Sequence, residues 1–373
     1  MLKHSLFHGL YKRTKLLLKY SHSIRLKINK STIMKKENHM KQKRIMILVL
    51  ALALCLLPLE AFAGKKAGRI VSTKDTKYSY QDMERDLKKL AKTYPEMTGL
   101  ESLGKTADKR ELYCLRMGNP EAKKQIIVQA CIHAREWLNC QVLMKMTERY
   151  LANYETGAYD GVTYQELFDE VVVYIVPMVN PDGVTISQYG ISKIKNKALR
   201  KKLKKMKKAG SYKRWKSNAR GVDLNRSFPA SWAKKRTEKK PASEGYAGKK
   251  AATEAETKAI IKLMNRMPNL KACVNYHSMG ELIYWGAKGK GQKRSDAYEL
   301  ASMVHKTTGY RLVDETKDYG AGGDLERYLI SKKKLPYVCI ETGSKNCPLK
   351  HSAFNGIYKK NKTIIEKTAY LYY

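Results

Sequence analysis

Four stretches, QIIVQAC (125–131), VVVYIVPMV (171–179), LKACVNY (270–276) and LPYVCIE (335–341), are apolar almost without interruption. A strand with one wet face alternates apolar and polar residues. A strand that reads apolar throughout is covered on both faces, as in parallel sheets flanked by helices. The intervening sequence supplies such helices: amphipathic stretches lie near 137–153, 253–267 and 295–308. Ser79 is placed to cap a further helix, which carries Tyr80, Met83, Leu87, Leu90 and Tyr94 at helical spacing until Pro95 stops it. The expected architecture is an α/β domain with a sheet covered on both faces. No Pro/Gly/Ser linker divides residues 65–373, which therefore read as one domain.

The chain carries 74 Lys+Arg against 34 Asp+Glu, a formal charge of +40. The first 63 residues hold 13 and 2 of these, leaving 61 against 32, so the folded part is itself cationic. Such a surface suits nucleic acid, an anionic membrane or an anionic cell-wall polymer. From Met40, a basic start (Lys41, Lys43, Arg44) precedes an apolar stretch, Ile45 to Leu59, and a small-x-small ending at Ala61-Phe62-Ala63. That is the layout of a signal peptide at 40–63, cleaved after Ala63. The apolar run of about fifteen residues is short for a bilayer span, so no transmembrane anchor is expected after cleavage. Leu54 stands where a small residue would precede a lipidated Cys55, which argues against a lipoprotein. The expectation is a secreted or extracellular protein, associated with the cell wall through an anionic polymer, without a nucleic-acid partner. Residues 1–39 are basic and aperiodic and read as an extension ahead of a true start at Met40 or Met34.

Beyond the leader, Cys114, Cys131, Cys140, Cys273, Cys339 and Cys347 lie mostly in apolar surroundings that suit small core residues, and the pattern assigns no disulfide pairing. The most basic stretch, RKKLKKMKK (200–208), reads as a solvated face, with a polyanion-binding patch as the alternative.

Chemistry-bearing residues gather where the apolar runs end. CIHAREWLN follows the first run and places His133 and Glu136 three residues apart, close enough on one turn to meet a single cation. The third run delivers His277, the fourth Glu341, and the second a turn holding Asn180, Asp182 and Gly183. Open α/β sheets build their sites at strand carboxyl ends. Two His and one Glu give zinc three protein ligands and leave one position open, the arrangement of a hydrolytic site. A second carboxylate is then needed to move protons between water and the leaving amine, and Glu341 is the candidate.

IIVQACIHAREWLN, VPMVNPDGV, WKSNARGVDLNRSFP, VNYHSMG and LPYVCIETG resemble, in order and approximate spacing, the motifs of the carboxypeptidase A-like zinc metallocarboxypeptidases. The resemblance runs from about Tyr78 to the C-terminus and is strongest to bacterial secreted members, including those that trim murein peptides. It implies a mixed parallel/antiparallel twisted sheet, one Zn2+ ion, and a peptide substrate with a free C-terminal carboxylate. It further implies His133, Glu136 and His277 as zinc ligands and Glu341 as general base and acid. Arg135 would bind a substrate carbonyl and help stabilise the oxyanion. Asn225 and Arg226 would hold the terminal carboxylate, with Ser278 also among the substrate-binding residues, and Asp223 would orient the first His ligand. A further basic residue falls on Lys216 or Arg220, and a mobile Tyr on Tyr319. The specificity-pocket floor falls on Leu325, favouring apolar C-terminal residues, or on Asp324, favouring Lys, Arg or diaminopimelate. Two other readings stand beside a general carboxypeptidase: a murein peptide peptidase cleaving next to diaminopimelate or Lys, and a non-catalytic cationic cell-surface binding protein.

Overall fold

The computed structural model describes residues 69–206, 211–233, 238–287, 291–316 and 322–373. The leader, the signal-peptide reading and Tyr319 lie outside the described residues. Residues 66–373 form one compact unit.

The strands are β1 (Thr98–Lys105), β2 (Glu111–Met117), β3 (Lys124–Ala130), the short hairpin β4 (Ala158–Tyr159) and β5 (Val162–Thr163), β6 (Val171–Val176), β7 (Leu270–His277), β8 (Leu282–Trp285), β9 (Arg311–Asp314) and β10 (Tyr337–Glu341). Eight of them make one sheet in the order β1-β2-β6-β3-β7-β10-β8-β9. The middle four, β6, β3, β7 and β10, run parallel and are the four apolar runs, while antiparallel pairings join β2 to β6 and β8 to β10. The expected α/β class with a mixed sheet is what the chain adopts.

The helices are α1 (Tyr80–Thr93), α2 (Leu138–Ala152), α3 (Tyr164–Glu170), α4 (Pro181–Tyr189), α5 (Lys197–Met206), α6 (Ala255–Asn265), α7 (Gln292–Thr308), α8 (Leu325–Tyr328), α9 (Phe354–Asn361) and α10 (Ile364–Tyr370). Ser79 caps α1 through a capping box with Asp82, as its sequence suggested. Alternate residues of each central strand feed two cores. Ile126, Val128, Val274 and Ile340 pack with Leu87, Leu143 and Val304 on one face. Ile127, Cys273 and Cys339 pack with Ile260, Leu263 and Leu329 on the other. All six described cysteines are buried and unpaired.

Strands β1, β2, β8 and β9 escaped the sequence reading. β1 and β9 are part-exposed edges of the sheet, β2 mixes buried apolar with part-exposed polar residues, and β8 is an apolar run of only four residues, LIYW. The second apolar run ends as a strand at Val176 rather than at Val179, because Pro177 has no N–H to donate. Among the described residues, no helix is long and apolar enough to cross a membrane.

Candidate metal centre

Parallel pairing brings the carboxyl ends of β3, β7 and β10 to one edge, with Glu341 in register with His277 and Ala130 with Tyr276. Past β3 the chain turns at Cys131, whose φ of 60° lies in the left-handed region. Asn180 holds this turn: its backbone N–H donates to Cys131 O at 3.1 Å and its side chain to Ile132 O at 3.2 Å. The next residues form a single 3-10 turn, Ala134–Glu136, which folds Glu136 back beneath His133.

Three donor atoms converge there. His133 Nδ1 lies 2.9 Å from Glu136 Oε1, His277 Nδ1 lies 2.9 Å from Glu136 Oε2, and the two Nδ1 atoms are 3.0 Å apart. Tetrahedral zinc with bonds of about 2.0–2.1 Å separates its ligands by roughly 3.3 Å, so a slight outward movement admits the ion. All three side chains are buried, and two imidazole nitrogens facing each other need a cation or a shared proton between them. Burial opposes a charge on Glu136, yet the adjacent His133 and His277 hold its carboxyl well below the usual range.

Behind His133, Asp223 Oδ1 stands 3.5 Å from Nε2, and Asp223 also caps the turn Leu224–Arg226 by accepting from Asn225 N–H at 3.1 Å. Burial would raise its pKa, but Lys216, 3.7 Å away, and then His133 keep it low. Lys216 faces the centre, and its carbonyl accepts from Ala134 N–H at 3.0 Å. Arg220, the other residue considered for the additional basic position, is exposed and lines neither cavity at the site.

Two cavities meet at His133, Lys216 and Glu341. One, of about 290 Å³, is lined by Arg135, Glu136, Arg214, Ser278 and Cys347 as well. The other, of about 380 Å³, is lined by Asn225, Arg226, Glu315, Asp324 and Glu326. Glu341 sits at their junction with Oε2 buried and without a hydrogen-bond partner. Its pKa is pushed up to about 8, first by burial; His277 opposes this, while Glu136 and Glu326 add to it.

Arg135 lines the first cavity, with Nη1 3.2 Å from Glu244 Oε2. Ser278 Oγ, although it lines the same cavity, is engaged by Asn139 and Thr342 at 3.0 Å each, bonds that fix the end of β7. Asn225 Oδ1 accepts from Leu325 N–H at 2.8 Å and its Nδ2 donates to Glu326 at 3.1 Å, so the DLNR turn is bonded to the pocket loop. Gly322 and Gly323 allow that approach, since a Cβ on either would lie 2.1 Å from the carbonyl oxygen of Ser231 or Arg226, respectively.

The structure corrects two expectations. Leu325 is not on the pocket floor: it is fully buried in the core beside Ile127 and Leu329, and Asp324, which caps α8, faces the cavity. An apolar side chain at the start of a short helix turns towards the core and leaves its acidic neighbours on the wet side. Asp182 is not part of the site either. Buried on α4, it accepts from Thr106, Asp108 N–H and Arg110 at 2.8 Å each, and so fastens the loop after β1. Glu315 and Glu326 were missed; the alternation Asp324-Leu325-Glu326 was the only local signal for the second.

Residues 83–355 match the family model described as "Zinc carboxypeptidase". The chain belongs to the zinc carboxypeptidase family. It is 30% identical over 298 residues to gamma-D-glutamyl-L-diamino acid endopeptidase 1 of Lysinibacillus sphaericus, covering 79% of this chain and 72% of that one. It is also 30% identical over 213 residues to carboxypeptidase B of Rattus norvegicus, covering 56% of this chain and 47% of the relative. In fold it is similar to thrombin activatable fibrinolysis inhibitor (TM-score 0.65, 19% identity, 82% of this chain and 80% of that chain). The carboxypeptidase A of Helicoverpa armigera is similar too (TM-score 0.64, 18% identity, 89% and 81%). This zinc metallopeptidase thus has a family that uses zinc and a buried His133-Glu136-His277 donor set suited to it.

Proposed function

We propose that this zinc peptidase is an exported enzyme that hydrolyses the bond preceding a C-terminal diamino acid, as found in cell-wall peptides. The observation carrying the substrate choice is the cavity beyond Glu341, where Arg226 and three carboxylates, Glu315, Asp324 and Glu326, line one wall system. A residue with a free carboxylate and a side-chain ammonium complements both charges; a leucine or phenylalanine side chain offers the acidic wall, whose Glu315, Asp324 and Glu326 are held by neutral donors of Tyr337, Arg327 N–H, Asn225 and Asn275, no countercharge. The name of the Lysinibacillus relative, with its gamma-D-glutamyl-L-diamino acid bond, supports the same class. The export reading supports it as well.

His133, Glu136 and His277 would hold the zinc, which when bound would supply Lewis acidity towards the scissile carbonyl and acidify a water. Glu341, unpartnered between the cavities, takes the water's proton and hands it to the leaving nitrogen. Lys216 and Arg135 face the carbonyl side and offset the negative charge that develops there. Arg226 fixes the terminal carboxylate and so places the last peptide bond over the centre. Asp223 keeps the His133 ring oriented.

A panel of peptides differing only in the last residue tests the substrate class. C-terminal diaminopimelate or Lys is expected to exceed Leu or Phe by about 10–100-fold in kcat/KM, the usual scale for satisfying rather than stranding buried polar groups. Burial and Glu326 raise the Glu315 carboxyl to about 7, so it gains its charge as pH rises through 7, and the preference should widen from pH 6 to 8. Asp324→Asn with Glu315→Gln should narrow it; a preference for Leu or Phe would refute the assignment. Separately, Asp223→Asn is expected to weaken zinc binding about 10–100-fold in a chelator competition, and unchanged affinity would remove Asp223 from its orienting role.

A further inference from the structure

Between Asp182 and Asp223 lie forty residues, 183–222, with fourteen Lys or Arg and no acid. Helix α5 is the exposed centre of this segment. Its Leu199, Leu203 and Met206 face inward onto Ile186, Ile194 and Trp215, in a small cluster that includes Ala134 of the His133–Glu136 turn. On the opposite side, Lys197, Lys201, Lys204 and Lys205 recur at helical spacing and are exposed. None of the four makes an ion pair with a described residue. The frame beneath is firm: Asp108 accepts from Lys195 and Asn196 N–H at 2.9 and 2.7 Å, and Arg110 donates to Lys193 O at 2.8 Å. Arg200 is turned back onto Ile194 O at 2.7 Å and does not join the outer row.

We infer that the outer face of α5 is a docking surface for a phosphodiester-backbone polymer of the cell envelope, a poly(glycerol phosphate) type of chain. The choice of an envelope polymer rests on the export reading above; the cationic row itself does not. Four lysines at one helical turn or less from each other span about 12 Å and match a flexible chain with one negative charge per short repeat. A row of Lys with Arg200 turned inward offers compact charges on flexible stems, which follow a flexible chain of phosphodiesters without demanding one fixed geometry. The helix is also anchored near the site, because its Leu203 shares an apolar cluster with Trp215, whose neighbours Arg214 and Lys216 line the first cavity. A peptidase held on its matrix by this face keeps its mouth beside the peptides attached there.

The test uses the zinc-loaded full chain and soluble poly(glycerol phosphate), with binding measured between about 50 and 200 mM salt. Four single-chain phosphate contacts give a slope of log affinity on log salt near −3, at about 0.7 per contact. The variant K197Q/K201Q/K204Q/K205Q should bind at least about tenfold more weakly and lose most of that slope. Its melting temperature and its turnover of a short soluble peptide should match the wild type, since none of the four residues touches either cavity. Equal binding by the variant would overturn the inference. So would binding of poly-glutamate or duplex DNA as tight as that of the phosphate polymer. Absence of peptide turnover in the wild type would count against the proposed activity, and the binding comparison would still decide this surface.

Discussion

Glu341→Gln is expected to lower kcat by about 10²–10⁴-fold, the usual contribution of a positioned general base. The exchange preserves shape and removes only the capacity to accept a proton. Glu341 lies at the end of β10 in register with His277, yet it is outside the His133-Glu136-His277 donor set, so zinc content should stay at one ion per chain. Its position at the junction of the two cavities makes KM the less affected parameter, because neither Arg226 nor the acidic wall is altered. Single-turnover and steady-state assays on a peptide ending in Lys separate the two parameters. Near-normal kcat in the glutamine variant would exclude Glu341 as the base and return attention to the remaining carboxylates of the second cavity.

Glu136→Gln should have the larger effect on the protein as a whole, because it removes the one anionic member of the donor set while leaving both imidazoles in place. Zinc is expected to fall to a small fraction of an ion per chain after dialysis, with activity lost in parallel. A bound ligand stabilises the native state by about 4 kcal/mol at a free concentration a thousand times Kd. In a domain of this size that amounts to several degrees of melting temperature. The wild type should therefore melt lower when a chelator is added, whereas Glu136→Gln should be insensitive to it. Retention of stoichiometric zinc by the variant would contradict the ligand assignment directly. A chelator shift of equal size in both proteins would do the same.

Part of this site is written locally. His133 and Glu136 stand on one short turn, and His277 and Glu341 terminate apolar runs whose strand character is a property of contiguous residues. Parallel pairing of such runs brings their ends together without any further instruction, which is why the four chemical groups were legible before the fold. The supporting residues were less so. Asn139 and Thr342, which hold Ser278, come from α2 and from just past β10, and only the assembled sheet with its covering helix makes them neighbours.

Residue type and local order, then, define the hydrolytic chemistry, because a metal's ligands and a general base are recognisable by kind and by their place at strand ends. Selection among alternatives belongs to the assembled fold. Lys216 and Arg220 are four residues apart in one loop, yet Lys216 lines both cavities while Arg220 is exposed and lines neither. Leu325 and Asp324 are adjacent, and the core's demand for an apolar side chain beside Ile127 turns one inward and the other to the cavity. Glu315 reaches the same cavity from beyond β9, while Asn225 bonds to Leu325 across a hundred positions of chain. Side-chain direction and long-range proximity are set by packing between distant segments, and no local pattern encodes either.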